Sequence, residues 1–277
     1  GMTMFNDFVP YTEFDEDSID SEQLKYVKAE KYIEQRRKKR KIAAFYGTCH
    51  MAVYKDSLKR IKAFTDEYVI LDLPLISETE AGGYPFLKEK WIWEKCNLVV
   101  ANQIFAINSY GVWDTQKVLD MAVNAKKIII TNAYFEGYFP QWCASRNPEF
   151  RQIFAWEDKN INRMIEQAYS DNEIIARLKD KDFYKEDEIT QYFEKNLNVL
   201  KKQEQLCDIK MCDYVSLNKN RRILFRSWTH PTDDFFVELI RRLLNELKIK
   251  GEPEVYIKLN VHEQIIYPSV IKALNIV

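Results

Sequence analysis

The segment Gly47-Thr48-Cys49-His50 places a potential nucleophile at a turn. An apolar run at 42–46 precedes it and apolar residues at helical spacing follow it, which predicts a strand, a glycine turn and a helix. Cys49 would then begin the helix, where unpaired N–H groups and the helix dipole lower the pKa of a thiol and favour the nucleophilic thiolate. The alternative interpretation is that Cys49 is a small buried residue, as many free cysteines are.

His230 is a second candidate, as a general base. A strand-like run at 222–226 leads into Ser227-Trp228-Thr229-His230-Pro231, and an amphipathic helix follows. We therefore expect His230 in a strand-to-helix loop, where the positive end of the helix keeps the imidazole neutral and able to accept a proton. The alternative is a histidine that only stabilises the start of the helix.

The group that orients His230 is not evident from the sequence. Ser227 stands three residues before the histidine, where a carboxylate is expected. Remaining candidates are a backbone carbonyl or one of four carboxylates, Asp72, Asp114, Asp233 and Asp234. A nucleophile and a base from two strand-to-helix loops are nevertheless a common arrangement for acyl transfer.

Short apolar runs that alternate with helical patterns predict the fold. They lie at 42–46, 68–73, 97–101 and 127–131, and Asp114 is a good N-cap for a helix between the last two. This order indicates an α/β protein with three α/β/α layers and a mostly parallel sheet, with additional helices packed on it or capping it. The carboxyl ends of such strands meet at one edge, so we predict that Cys49 and His230 share that edge. The strand ends there carry mostly polar residues with compact side chains: Gly47-Thr48-Cys49, Asp72, Asn102-Gln103 and Thr131-Asn132.

The sequence also suggests how the chain is divided. Residues 1–40 are expected to form an acidic arm and a helix at 21–41, whose basic end at 36–41 is more simply a solvated helix end than a phosphate or membrane contact. Residues 41–277 are expected to form a single α/β domain, with a helical insertion at about 157–210. Two apolar stripes there predict the buried faces of helices: Ile161, Met164, Ile165 and Ala168, and Ile189, Phe193, Leu197 and Leu200.

Composition excludes several classes of function. The 277 residues are 46% hydrophobic, and 41 Lys and Arg nearly balance 42 Asp and Glu, so no nucleic-acid partner is expected. Five cysteines without paired zinc-type spacing argue against a disulfide framework or a metal site. No apolar stretch reaches the roughly 18 residues of a membrane span, and the acidic N-terminus is unlike a signal peptide, so we expect a cytoplasmic protein.

Several short segments, taken in order, resemble the WcbI-type polysaccharide-biosynthesis acetyltransferases. The resemblance covers about residues 40–277 and is carried by Gly47–His50 after a strand, Asn97–Gln103, Asn132–Pro140, Leu224–Pro231 and a closing Tyr267–Leu274. It implies coenzyme A or acetyl-CoA as acyl donor and O-acyl transfer to a sugar hydroxyl of a surface or capsular polysaccharide. The chain departs from the family at Thr48 and His50, where Asn and Gln are common, and at Phe139, where His is frequent.

With this resemblance, Cys49 and His230 are the expected catalytic residues. Backbone donors at Thr48–His50, with the amide of Asn102 or Gln103, would stabilise an oxyanion, and Gly47, Asn132 and Tyr138 would help to bind substrate. His50 receives a binding role, because successive helical side chains point about 100° apart. The aromatic residues Tyr134, Tyr138, Phe139 and Trp142 form either a platform for a sugar or adenine, or a packed loop.

Two other functions remain open. The Cys49 and His230 segments also look like a cysteine version of the nucleophile and histidine blocks of SGNH-type hydrolases, which would make the chain an esterase or deacylase. That likeness lacks the Asp three residues before the histidine. The departures at Thr48, His50 and Phe139 are instead compatible with a non-catalytic glycan- or nucleotide-binding module.

Overall fold

The computed structural model describes residues 15–25, 29–76, 90–105, 114–146, 156–259 and 263–277. The first fourteen residues of the expected arm and residues 26–28 of the expected helix lie outside this set. The chain comprises two compact units. The first unit is Gly1–Asn132, Glu204–Met211 and Asp233–Val261, and the second is Ala133–Gln203, Cys212–Thr232 and His262–Val277. The domain boundaries expected from the sequence stay predictions.

A five-stranded parallel sheet forms the centre of the first unit. Its strands are β1 (Ser18–Asp20), β2 (Lys41–Tyr46), β3 (Tyr68–Asp72), β4 (Leu98–Asn102) and β5 (Lys126–Ile130), in the order β1-β3-β2-β4-β5. In the central strand β2, Ala44 pairs with Leu71 on one side and Val99 on the other. The four strands predicted from apolar runs are therefore confirmed to within one residue.

Apolar residues on both faces of the sheet are buried, which confirms the α/β fold. On one face, Ala44 and Val99 share a core cluster with Ile33, Trp93 and Val118 from three helices. The described helices are α1 (Ala29–Arg37), α2 (His50–Lys59), α3 (Lys62–Glu67), α4 (Lys90–Lys95), α5 (Thr115–Met121), α6 (Lys159–Glu166), α7 (Asp171–Lys179), α8 (Glu186–Gln203), α9 (Cys212–Asn218), α10 (Asp233–Leu247) and α11 (Pro268–Ala273).

The segment around residue 20 does not form the predicted long helix. Ser21–Lys25 is a short 3-10 helix, and α1 ends at Arg37 because Lys38 and Lys39 adopt left-handed backbone conformations, with φ of 52° and 65°. Ser18–Asp20, within the segment expected to be an arm, is the edge strand β1 beside β3.

The basic run that ends α1 is solvated only in part: Lys38, Lys39 and Lys41 are exposed as predicted, but two of the arginines are not simply solvated. Arg36 donates to the carbonyl of Ser18 at 3.1 Å, and Arg40 donates to Asp17 at 2.8 Å and to the carbonyl of Thr65 at 3.0 Å. These arginines therefore fasten the edge strand to the sheet.

The order of the strands defines where a ligand site is expected. The chain passes from β2 to β3 on one side and then places β4 on the other side of β2. In open α/β sheets, ligands bind beyond the carboxyl ends of the strands at such a reversal. The two strands at the reversal are followed by Gly47-Thr48-Cys49 and by Gln103.

The helices of the second unit confirm the predicted helical region only in part. In α8, Ile189, Phe193 and Leu197 are buried as predicted, together with Leu200. In α6, Met164 is buried but Ile165 is 60% exposed, because adjacent helical residues point about 100° apart and cannot both face the core. None of the helices built from the described residues combines the length and apolar character needed to cross a bilayer.

Candidate active site

The turn between β2 and α2 is held by the side chain of Asn102. Its Oδ1 accepts from the Thr48 backbone N–H at 3.0 Å and from the Thr48 hydroxyl at 3.2 Å, while its Nδ2 donates to the carbonyl of Thr131 at 3.2 Å. Asn102 is fully buried. Its amide therefore joins the ends of β2, β4 and β5, and it does not reach the surface to meet a ligand.

Gly47 is required by the close approach of Asn102. A Cβ on Gly47 would lie 2.2 Å from Asn102 Oδ1 and 2.9 Å from Met51 Cε. The first contact is with a side chain already fixed by hydrogen bonds. Any larger residue would therefore displace either the turn or Asn102.

A second amide pair fixes the neighbouring strand ends. The backbone N–H of Gln103 donates to Asn132 Oδ1 at 3.1 Å, and Asn132 Nδ2 donates to the carbonyl of Gln103 at 3.0 Å. The side chain of Gln103 is partly exposed. Of the two amides predicted as oxyanion donors, Gln103 is thus the one with exposed surface.

Cys49 precedes α2 at its N-cap position, but its thiol is not activated in the predicted direction. Burial raises the pKa of Cys49 to about 12, although hydrogen bonds from the backbone N–H groups of Cys49 and His50 to the sulfur act to lower it. The predicted lowering of this pKa is wrong, because the loss of hydration outweighs the two amides and the helix end. The two N–H groups nevertheless face the sulfur.

His50 points toward the interior of the first unit. Its ring is completely buried and meets the ring of Phe236 on α10 edge-on, at 5.4 Å between centroids. A ring nitrogen of His50 nevertheless lies within 4.8 Å of the Cys49 sulfur, although successive helical side chains point about 100° apart. Its expected binding role stays a prediction.

In the second unit, His230 lies on a hairpin rather than on a strand of the parallel sheet. Among its described residues, this unit holds two short antiparallel pairs. Strand β6 (Trp142–Ala144) pairs with β7 (Trp156–Asp158), and β8 (Phe225–Ser227) pairs with β9 (His230–Pro231) through a turn at Trp228 and Thr229. The predicted parallel strand before His230 is therefore wrong, but the helix predicted to follow it is α10, which begins at Asp233. The apolar run at 222–226 did not distinguish a short hairpin from a parallel strand.

Hydroxyl groups orient the His230 ring. Its Nδ1 lies 2.7 Å from Thr229 Oγ1 and 3.3 Å from Ser227 Oγ, and His230 itself is buried. Ser227 reaches the ring because it stands opposite His230 in the hairpin. The contact of Thr229 with the His230 ring was not predicted from the sequence, where only its position next to the histidine could have indicated it.

Two of the four carboxylates considered as orienting groups have other roles among the described residues. Asp72 pairs with Lys55 at 2.8 Å, and Asp114 caps α5 by accepting from the Lys117 N–H at 2.7 Å, as predicted for an N-cap. Asp233 and Asp234 lie in the first turn of α10.

The predicted aromatic platform divides into two groups. Tyr138 and Phe139 are fully buried, and Tyr138 packs edge-on against Phe193 at 5.4 Å, so this part is a packed loop. Tyr134 and Trp142 are partly exposed and contact Trp228 instead. The role of Tyr138 in substrate binding stays a prediction, as does the pairing of Cys49 with His230.

Comparison with known proteins gives a family and a fold. A model of the family described as "Polysaccharide biosynthesis enzyme WcbI" matches residues 43–252. Curated protein sequences give no significant match. A solved structure of WcbI, described as a novel polysaccharide biosynthesis enzyme in its native form without a disulfide bond between coenzyme A and a cysteine, matches with a TM-score of 0.68 and 16% identity over 84% of this chain and 79% of that chain. At this identity the structural match shows the fold alone. The family match spans well over half of the sequence and includes the Gly47–His50 turn, Asn102 and His230, and the chain therefore belongs to the WcbI family of polysaccharide biosynthesis enzymes.

Proposed function

We propose that this protein is a coenzyme A-dependent O-acyltransferase that moves an acetyl group from acetyl-CoA to a sugar hydroxyl during synthesis of a surface polysaccharide. Membership of a polysaccharide biosynthesis family supports the saccharide, and the mention of coenzyme A for the related WcbI structure supports the donor. The observation that carries the proposal is the position of Cys49, at the start of α2 and beside the reversal of strand order, with two backbone N–H groups facing its sulfur.

The groups around Cys49 suit the thioester end of coenzyme A. The N–H groups of Cys49 and His50 favour negative charge on the Cys49 sulfur, and backbone donors of this turn are the ones we assign to a developing oxyanion beside it. Gly47 allows close approach of the backbone, and the partly exposed amide of Gln103 is the side-chain donor. When bound, acetyl-CoA supplies an acyl group activated as a thioester.

In the first of two routes, Cys49 forms an acyl-enzyme. His230 takes the thiol proton as the sulfur attacks the carbonyl carbon, and the carbon–sulfur bond of the donor breaks while His230 returns the proton to the departing thiol. The acceptor hydroxyl then attacks the acyl group on Cys49 and gives its proton to His230, which passes it to the Cys49 sulfur. Because Nδ1 contacts two hydroxyls, we assign these transfers to Nε2.

In the second route, His230 takes the proton of the acceptor hydroxyl, which attacks the donor carbonyl directly. The proton passes to the departing thiol, and Cys49 only lines the site while its N–H stabilises the oxyanion. The acyl-enzyme route needs a base for Cys49, because the raised pKa keeps its thiol protonated at neutral pH. The direct route needs a base for the acceptor hydroxyl instead.

Thermal unfolding with coenzyme A tests the donor. Ligand at about 100 times its Kd stabilises a protein by about 2.7 kcal/mol, so a rise in Tm of several degrees is expected. Adenosine 3′,5′-bisphosphate and pantetheine, tested separately, show which end of the molecule binds. A folded protein whose Tm does not move at millimolar coenzyme A contradicts the proposal.

Release of free thiol from acetyl-CoA, measured with and without saccharide, tests the reaction. His230→Ala should lower turnover by about 100-fold or more in either route. Cys49→Ala should do the same only in the acyl-enzyme route. Cys212→Ser, at a cysteine of α9, is the matched control and should keep full turnover. If saccharide does not accelerate the release of thiol, the esterase or deacylase function is assigned instead. If the protein binds coenzyme A or saccharide but releases no thiol from acetyl-CoA, it is a non-catalytic binding module.

A further inference from the structure

The tip of the β8–β9 hairpin is a fixed element of the second unit. The backbone N–H of Trp228 donates to Gln264 Oε1 at 2.9 Å, and its carbonyl accepts from the Phe135 N–H at 2.7 Å. The Thr232 N–H donates to the carbonyl of Leu224 at 2.9 Å and closes the base of the hairpin. Trp228 therefore presents its indole ring from a rigid turn.

Trp228 joins two other aromatic residues into a group that we call the aromatic triad: Tyr134, Trp142 and Trp228. The indole rings of Trp142 and Trp228 are stacked, with centroids 4.7 Å apart and planes within 11°. Tyr134 meets Trp228 at 5.7 Å and 63°. All three side chains are partly exposed. Held in this way, the partly exposed rings offer apolar faces that lose little conformational entropy on binding.

Two polar atoms of this region lack a partner within the described part of the chain. Trp228 Nε1 is buried without an acceptor, and Oε1 of the buried Gln141, next to Trp142 in sequence, has no donor. The Nε2 of the same amide donates to the carbonyl of Ile265 at 2.6 Å, which fixes the side chain. Buried polar atoms are nearly always paired, so each such atom needs an explanation, and a ligand supplies one.

We propose that the aromatic triad is the subsite that binds a sugar ring of the saccharide acceptor. A pyranose has an apolar face of C–H groups, which packs on an aromatic plane, and a rim of hydroxyls, which can accept from Trp228 Nε1 and donate to Gln141 Oε1. The triad is assigned to the acceptor because Trp228 stands on the same hairpin as His230, two residues away, and His230 takes the acceptor proton in the proposed reaction. This inference rests on the proposed function.

Saturation-transfer NMR with methyl gluco-, galacto- and mannopyranosides at millimolar concentration tests the subsite. At least one glycoside is expected to show transfer to its ring C–H protons. Trp142→Ala should weaken this binding by about tenfold, and Trp142→Tyr, which keeps an aromatic plane, should retain most of it. Trp228→Phe keeps the stack but removes the N–H, so a loss of about threefold to tenfold is expected.

Tyr169→Ala is the matched control, because Tyr169 is a partly exposed aromatic residue of the same unit that contacts Arg177 instead. It should leave glycoside binding unchanged. Absence of transfer for every glycoside, or equal transfer for wild type and a folded Trp142→Ala, overturns the subsite. The acceptor subsite is also wrong if adenosine 3′,5′-bisphosphate, and none of the glycosides, binds to the protein and binds more weakly to Trp142→Ala.

The thermal shift with coenzyme A separates the two proposals. If coenzyme A stabilises both wild type and Trp142→Ala while glycoside binding is unaffected by the substitution, the subsite is wrong and the proposed function stands. If glycosides bind through the triad but coenzyme A has no effect, the subsite stands as a saccharide site and the acyltransferase function is wrong.

Discussion

At the scale of single residues, the environment of Cys49 decides how it can react. Two N–H groups at the start of α2 favour the thiolate, but burial has the larger effect and raises the pKa to about 12. Cys49 is partly exposed, but a thiol with so high a pKa reacts slowly with oxidants and alkylating agents until a base removes its proton. Its reactivity therefore depends on a base more than on the helix end.

Alkylation by iodoacetamide tests this protonation state. At pH 8, a pKa of about 12 leaves about one sulfur in ten thousand as thiolate, compared with about one in ten for an ordinary thiol. Cys49 should therefore react about 1000-fold more slowly in the folded protein than in urea, and its rate should rise about tenfold per pH unit while the protein stays folded. Peptide mass spectrometry measures both rates, and fast modification at pH 8 would show that the thiolate is already present.

The hydroxyls beside His230 provide a second residue-scale prediction. Thr229→Val removes the 2.7 Å contact to Nδ1 and should lower the turnover of acetyl-CoA by about tenfold, with the thermal shift by coenzyme A unchanged. Thr229→Ser keeps the hydroxyl and should restore most of the activity. Thr232→Val serves as control, since the Thr232 hydroxyl donates to the carbonyl of Ile223 instead. Full activity in Thr229→Val would show that this hydroxyl does not orient the base.

At the scale of secondary-structure elements, the turn between β2 and α2 is defined by its contact with the end of β4. Gly47 and Asn102 approach so closely that neither can be changed alone without moving the other. The same amide of Asn102 holds Thr48, so the start of α2 and the position of Cys49 are set from a neighbouring strand. The site is thus positioned by the sheet rather than by the helix.

Substitutions at the two positions should be coupled. Gly47→Ala is expected to lower the free energy of unfolding by about 1–3 kcal/mol through overpacking against Asn102. In the double variant with Asn102→Ala, the clash disappears, so the total loss should be clearly smaller than the sum of the single losses. Urea denaturation measures the free energy of unfolding of the two single variants and of the double variant.

Gly251→Ala is the control for this cycle. Its Cβ would lie 2.6 Å from Ile61 Cγ2 and its nearest neighbours all belong to Ile61, so the losses from Gly251→Ala and Asn102→Ala should simply add. Strict additivity of Gly47→Ala and Asn102→Ala would contradict the steric interpretation.

At the scale of the whole molecule, the stability of the parallel sheet depends on how its edges are covered. On one edge, β1 pairs with β3 and is fastened by Arg40, whose side chain is 11% exposed. On the other edge, the Thr131 N–H donates to the carbonyl of Ile209 at 3.1 Å, so a segment from late in the chain continues the pairing beyond β5. Both coverings protect strand edges that would otherwise be open to association with other chains.

The contribution of Arg40 to the stability of this edge can be measured directly. Arg40→Ala removes donors to Asp17 and to the carbonyls of Thr65, Glu16 and Arg36, and should lower the free energy of unfolding by about 2–3 kcal/mol. Amide hydrogen exchange should show β1 losing protection before the central strands. Lys62→Ala, which removes only an exposed pair with Asp66, should change stability by about 0.5 kcal/mol or less. Equal effects of the two substitutions would mean that Arg40 does not secure the edge.

The sequence by itself determined the features that depend on neighbouring residues. Apolar runs predicted four of the five strands of the parallel sheet, the stripe of Ile189, Phe193, Leu197 and Leu200 predicted the buried face of α8, and Asp114 was recognised as an N-cap. In each case the signal lies within a few residues, because strand and helix periods and caps are local. The polar residues at the strand ends followed from the same reasoning.

The tertiary structure alone decided the features that depend on distant residues. Thr48 and Asn102 are 54 positions apart, and their contact shows that the Asn102 amide is already engaged. The raised pKa of Cys49 depends on everything that excludes water from its sulfur. The hairpin at His230 and the pairing of β1 with β3 required knowing which partner each short segment meets. A short apolar run fits many partners equally well, so only the packing of the whole chain selects one.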